Sequence, residues 1–432
     1  MKLSLATLKA VPPSVRTPAY DVARLGAGMV HLGVGAFHRA HQAIFTDDAI
    51  EAAGGDWGVV GVSMRQPDVA RALAAQDGLY TVETLDQTPS YRVVGGVRAT
   101  HTLPQHPEAV LAAIADPATH IVTLTITEKG YCLAGGALDF QHPDILHDQA
   151  HQQAPRSAIG TLVGGLAARQ RHGAPLTIIS CDNMVENGAR LGRAVHALAE
   201  RLDPGLAAWI EATVAFPETM VDSIVPATDA ASRARVAQAL GLADEASVQR
   251  EPYGQWVIED RFAGPRPAWD QVGVEIVSDV APHRRLKLHV LNASHSALAY
   301  LGLARGHEFV RQAMGDEQIR VFLDDLVETE LAPGLPGLPV RDYWAKTARR
   351  FANPMVDHRL AQIALDGDLK LAERVYPVMI ANARAGLPIA RLGAIVRAWL
   401  EHMGTRPPGL DLLPQEIQRD PVLRAAILGT GR

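Results

Sequence analysis

Short, unbroken apolar runs rich in Val, Ile and Thr punctuate the first half of the chain at 28–32, 57–63, 120–127 and 176–181. Segments with helical periodicity lie around and between them, at 42–52, 67–75, 107–115, 158–172 and 187–202. A strand covered by helices on both faces loses the alternation of apolar and polar positions and reads as a continuous apolar run. The pattern therefore predicts an α/β domain with a doubly wound, Rossmann-type parallel sheet.

A less regular stretch follows from about 203 to 281, mixing short helices with extended segments at 253–259 and 274–280. Beyond residue 285 the periodicity is almost purely helical, with helices predicted at 286–304, 317–330, 356–365, 369–385 and 389–402. Pro and Gly break this half at 332–339 and 405–414. Two domains are expected, an NAD(P)-binding one with its extension over 1–283 and an all-helical substrate domain over 284–432, with a cleft between them.

Composition narrows the function classes. The 432 residues are 47% hydrophobic and 20% charged, a globular balance, and the net charge of −6 argues against a nucleic-acid or anionic-membrane binder. The two cysteines, Cys132 and Cys181, stand in no CxxC, so neither a disulfide framework nor a thiolate zinc site is expected and a reducing cytoplasm fits. The first fifteen residues read as neither a secretion signal nor an anchor, and no apolar run approaches the ~20 residues of a membrane helix.

The segment HLGVGAFHRAH at 31–41 follows the first strand and opens a helix. Gly33 allows a tight turn, and Gly35 lets backbone N–H groups approach a pyrophosphate. The third glycine of the GxGxxG pattern is replaced by His38, and a plain strand–helix turn would read the same way. The second strand ends in Ser63-Met64-Arg65 rather than in an acidic residue. Arg65 can face a 2′-phosphate or lie flat on an adenine, which leaves both NAD and NADP open.

The second half opens on KLHVLNASH at 287–295. At about 100° per residue, Asn292 and His295 lie about 60° apart and Lys287 about 80° from His295, so all three share half a cylinder. A desolvated lysine can serve as a general base near neutral pH, and Asn and His can donate to an oxygen on which negative charge develops. A solvated polar face would show the same spacing. His283, His289 and His295 recur every six residues, which scatters them around a helix and rules out a metal site there.

Together the turn and the lysine helix resemble the polyol-specific long-chain dehydrogenases, the mannitol dehydrogenase family. The resemblance extends through TITEKGY (125–131), SCDNMVENG (180–188), FPETMVDSIVP (216–226), EPYGQWVIED (251–260) and RFANP (350–354). It implies a Rossmann-type domain, an all-helical second domain and metal-free hydride transfer at C2 of a hexitol, pentitol or hexonate. On this chain the family's catalytic lysine falls on Lys287 and its oxyanion-stabilising pair on Asn292 and His295. Asn183, Asp222 and Arg350 fall on substrate positions. Gly33, Gly35, Phe37 and Arg39 match the cofactor turn, while Glu128 and Lys129 match the segment that runs past the nicotinamide.

The departures carry information too. Where many mannitol dehydrogenases place a proton-relaying glutamate three residues before the lysine, this chain has Arg284, so the proton must leave by another route. The stretch His358-Arg359 to Asp366-Gly367, and TEKGY itself, resemble the fructuronate reductase (mannonate oxidoreductase) branch, although Asp368 stands where that branch has serine. A carboxylate-bearing substrate would want cations, for which Arg284, Arg285, Lys129, Arg350 and His358 are candidates. A neutral polyol would want the Asn, Asp and His lining instead, and both sets are present. A non-catalytic dinucleotide-binding protein and a phosphosugar dehydrogenase are the remaining alternatives. The expected partners are a small sugar acid or polyol and NAD (or NADP), in a monomer or homodimer.

Overall fold

The computed structural model describes residues 1–404 and 409–430, so the first residues of the predicted break at 405–414 lie outside the described residues. Six strands form the central sheet: β1 (Ala27–Leu32), β2 (Gly58–Ser63), β3 (Val97–Thr102), β4 (Ile121–Leu124), β5 (Leu176–Ser180) and β6 (Val214–Ala215). Every pairing in it is parallel, in the order β3-β2-β1-β4-β5-β6. The chain thus lays three strands outward on one side, returns to β1 and lays three on the other. That order creates a switch point at the carboxyl ends of β1 and β4, where open α/β sheets bind ligands.

The unbroken apolar runs are explained by two cores, one on each face. Met29, Val59, Ile121 and Ile179 point to one side and pack with Phe45, Trp256 and Trp269. Their neighbours Val30, Val122 and Ile178 point to the other and pack with Ile114, Leu162, Leu166 and Val195 of the covering helices. β3 is not predicted by the pattern. It has one sheet neighbour, and its central residues Arg98, Ala99, Thr100 and His101 keep contact with water, so it never needed an apolar run. Two three-stranded sheets flank the central one. Tyr80–Thr84 pairs with Ser90–Val94 and Val248–Arg250, and Gln255–Glu259 pairs with Thr219–Asp222 and Glu275–Val277.

The chain divides into two compact units, Met1–Val280 and Ala281–Arg432. The second unit is helical and packs around Tyr300, Leu323, Phe351, Leu371 and Trp399. Three helical predictions need correction. The expected helix over 369–385 is two helices, Gly367–Arg374 and Tyr376–Arg384, parted at Val375 because Pro377 lacks the N–H that would continue the first. Only Leu360–Ala364 forms of the helix expected over 356–365, since Arg359 bridges to Phe309 and the Leu360 N–H donates to the Glu308 carbonyl. Finally, Val340–Phe351, which carries Arg350, is absent from the predicted helices. No helix among the described residues is long and apolar enough to cross a membrane.

Candidate functional site

In the first unit the turn after β1 is built as the two glycines suggest. Gly33 has φ +96°, and a Cβ there would stand 2.2 Å from the Thr125 carbonyl oxygen, so only glycine fits. Its N–H and that of Val34 donate to the Val62 carbonyl at 2.8 and 3.1 Å, tying the turn to the end of β2. Gly35 is exposed, and a Cβ on it would meet nothing closer than the Gly33 carbonyl at 3.7 Å. The turn is therefore closed beneath Gly33 and open above Gly35, the shape a pyrophosphate needs.

The missing third glycine has a structural replacement. His38 is fully buried and stacks on His31 of β1, ring centroids 3.4 Å apart, so two flat rings replace the close helix–strand packing that glycine would allow. His31 is held by the Thr123 hydroxyl at 2.7 Å, the Thr125 hydroxyl at 2.9 Å and the Gly33 carbonyl at 3.0 Å. Burial pushes its pKa down to about 3 and holds His38 well below the usual histidine range. Neither ring nitrogen of His38 has a hydrogen-bond partner among the described residues.

A folded-state pKa below the unfolded value of about 6.5 means stability that is complete above that pH and lost as pH falls below it. We therefore expect His38→Phe, which keeps a flat ring and removes the proton site, to resist acid better than the parent. Below about pH 6.5 the stability difference should widen by roughly 1.4 kcal/mol per pH unit. Parallel melting curves of the two proteins from pH 7.5 to 5 would contradict this.

Arg39 does not reach the surface of the turn. Its guanidinium donates to the carbonyls of Gly35 and Ala246 and lies over the Tyr80 ring, and the Tyr80 hydroxyl returns a bond to the Arg39 carbonyl at 2.8 Å. It braces the turn from beneath. Phe37 is half-buried and stacks on His41 at 5.1 Å. Arg65 is exposed at the end of β2 and lines a groove of about 660 Å³ with Leu103, Pro104, Pro107, His147 and Arg156.

Beyond β4, Glu128 and Lys129 are exposed on a single helical turn, Glu128–Tyr131. The preceding Thr127 is held at φ +66°, unusual for a β-branched residue. What holds it is Asp182, which sequence reasoning misses in favour of its neighbour Asn183. Its carboxylate accepts from the N–H groups of Ile126 and Thr127, both at 3.0 Å, and from the Tyr131 hydroxyl at 2.7 Å. Burial raises its pKa, and those three donors oppose the rise. Asn183 is exposed, and Asp222 is buried at the end of its strand opposite Gln255.

Among the described residues, ligand atoms of Cys132, His142 and Asp144 lie within 4.8 Å of one another. There His142 Nδ1 accepts from the Asp144 N–H at 3.2 Å, as a helix cap, and burial pushes the Cys132 thiol up to about 11.

In the second unit the lysine helix is not a plain α-helix. Ala281–Leu286 runs into a π-helical turn, Lys287–Asn292, before α-geometry resumes over Ala293–Ala304. Bonds from i to i+5 take more residues per turn than 3.6, so Lys287 and Asn292 lie closer together around the axis than the half-cylinder of α-spacing requires. Lys287 is only 7% exposed, and Arg284 precedes it by three residues, partly buried.

His295 is 8% exposed, packed between the Phe351 ring, stacked at 4.9 Å, and the His358 ring, edge-on at 4.9 Å. Burial, and then the charges of His358, Arg374, Arg350 and Lys370, hold its pKa well below the usual range. It is thus a neutral imidazole, and its Nε2 has no partner among the described residues. Arg350 is buried on the helix missed by the periodicity. Lys370 and Arg374 are not singled out by the sequence motifs, although their spacing on a helix is plain in the chain.

The profile of the mannitol dehydrogenase Rossmann domain matches residues 27–271, and that of the mannitol dehydrogenase C-terminal domain matches 279–422. The chain belongs to the mannitol dehydrogenase family. Within this family it is 43% identical over 375 residues to the uncharacterized oxidoreductase YeiQ of Escherichia coli (strain K12), covering 84% of this chain and 76% of that one. It is 41% identical over 399 residues to the D-mannonate oxidoreductase of the same organism, covering 90% and 82%. The Pseudomonas fluorescens mannitol 2-dehydrogenase, solved as a ternary complex with NAD and D-mannitol, superposes with a TM-score of 0.88 at 32% identity, covering 100% of this chain and 96% of that one. Membership in the mannitol dehydrogenase family makes the chain an oxidoreductase and sets aside the non-catalytic alternative.

Proposed function

We propose that this member of the mannitol dehydrogenase family interconverts a secondary alcohol and a ketone at C2, counted from the end remote from the carboxylate, of an open-chain hexonate of the fructuronate/mannonate type, with NAD as cofactor and Lys287 rather than a metal as acid/base. The observation that carries the reading is the surroundings of His295. A buried neutral imidazole with a free Nε2 sits on the helix of Lys287 and Asn292, and the cations Arg374, Arg350 and Lys370 bear on it. The 41% identity to a D-mannonate oxidoreductase supports the same branch.

Bound NAD would supply the acceptor for the hydride released from the alcohol carbon. The Gly33–Gly35 turn would hold its pyrophosphate, with Phe37 beside that turn and Arg39 bracing it. Arg65 would meet its adenosine end, and Glu128 and Lys129 would hold its nicotinamide end. As the C–H bond breaks, the Lys287 amine takes the hydroxyl proton, leaving a ketone and an ammonium. His295 Nε2–H and the Asn292 amide donate to the oxygen, where negative charge builds before the double bond forms. Asn183, Asp222, Arg350, His358 and Arg284 bind the substrate. With Arg284 in place of a relay glutamate, the proton leaves Lys287 through solvent. Two free, buried thiols suit a reducing cytoplasm.

A second reading, a neutral polyol as substrate, draws on the similarity to the mannitol 2-dehydrogenase solved with D-mannitol. D-Mannonate and D-mannitol share a carbon skeleton and differ by one carboxylate, so they separate the readings cleanly. We expect NADH to form from D-mannonate and NAD with at least a tenfold higher kcat/KM than from D-mannitol, and faster than with NADP. A preference for D-mannitol would overturn the proposal.

A further inference from the structure

Lys370 and Arg374 stand four residues apart on the helix Gly367–Arg374, and residues so spaced share a helix face. Arg374 is held against the lysine helix at two points. Its Nη1 donates to the Ser296 hydroxyl at 3.1 Å, and its backbone carbonyl meets His289 Nδ1 at 3.2 Å. Those two contacts lie on either side of Asn292 and His295 in the chain. Lys370 donates to the Ile363 carbonyl at 3.0 Å.

Neither cation forms an ion pair with any described residue. The acids whose fields reach them, Glu373 for Arg374 and Asp366 for Lys370, are exposed and make no bridge to them. Both cations are partly buried, and both have pKa values lowered by that burial. Like charges brought together and partly desolvated without a counter-ion are costly, and an arriving anion removes the cost. One of the five guanidinium N–H donors of Arg374 is used by a side-chain bond, which leaves donors for a planar acceptor. A carboxylate matches that fork, and Lys370 adds a point charge beside it.

We propose that Arg374 and Lys370 bind the carboxylate of the substrate and set the preference for a sugar acid over the matching neutral polyol. This inference rests on the hexonate reading and goes further by assigning recognition of the acid to two residues on one helix.

The test compares D-mannonate with D-mannitol as substrates for the full chain and its Arg374→Gln, Arg374→Lys and Lys370→Gln variants, with NADH affinity followed by fluorescence. In Arg374→Gln the ratio of kcat/KM for D-mannonate to that for D-mannitol should fall about 10- to 100-fold, chiefly through KM, with NADH affinity retained. Arg374→Lys should recover part of the ratio, and Lys370→Gln should lower it less than Arg374→Gln. If Arg374→Gln loses NADH binding through misfolding, Lys370→Gln carries the same comparison. An unchanged ratio, or equal losses on both substrates, would overturn the assignment of the pair while leaving the hexonate reading intact. A parent protein that prefers D-mannitol would overturn both.

Discussion

Replacing Lys287 with alanine is expected to lower kcat for alcohol oxidation by about 100- to 10,000-fold while leaving NADH binding intact, the range for removing a positioned general base. Two features of the second unit make the loss large. His295 cannot take over as base, because burial and the surrounding cations keep its imidazole from accepting a proton at neutral pH. The π-helical turn over Lys287–Asn292 also orients this one amine, so no side chain elsewhere on the helix inherits its position. Lys287→Met is the companion variant, since it preserves the buried stem and removes only the amine. Steady-state kinetics on both variants, with NADH titrations alongside, check the expectation. Turnover within threefold of the parent in either one would sink the assignment.

Gly33→Ala is expected to have the second-largest effect, on cofactor binding rather than on chemistry. The added methyl would sit 2.2 Å from a backbone oxygen, and the φ of +96° is one that alanine rarely adopts. The Thr125 carbonyl cannot move far, because the strand it follows is bonded on both sides within the sheet. The turn must therefore open, which breaks the bonds from Gly33 and Val34 to Val62. Folding stability should fall by about 1–3 kcal/mol or more and NADH affinity by at least tenfold, measured by urea denaturation and fluorescence titration. By contrast Gly35→Ala has room for its methyl, so it should fold normally and weaken NADH binding alone. Equal behaviour of the two variants would show that the turn is not built as described.

Much of this is legible in the amino-acid sequence itself, for identifiable reasons. The strands buried on both faces announce themselves as apolar runs, and Gly33 as the one residue a left-handed turn accepts. What escapes has a different physical basis. β3 lies at the sheet edge and carries polar residues, so the apolar signal is absent. The π turn is invisible to a fixed 100° step, yet it brings Lys287 and Asn292 toward one side. His38 looks like a defect in the glycine pattern, and only the stacked ring of His31 shows how the gap is filled. Asp182 stands inside a family motif but is overshadowed by Asn183, because its role is to hold backbone N–H groups that no sequence displays. Lys370 and Arg374 are hidden for a related reason. A basic i, i+4 pair usually marks a solvated face, and its partial burial beside His295 appears only in the fold.

The measurement that tests the central claim most directly is a single-turnover pH profile of NADH formation from D-mannonate, run on the parent and on Lys287→Met. If Lys287 is the base, the parent rate rises with pH through one ionisation limb, and the variant is slow with that limb gone. The same limb in both proteins, or no NADH formed from D-mannonate by the parent, would contradict the account.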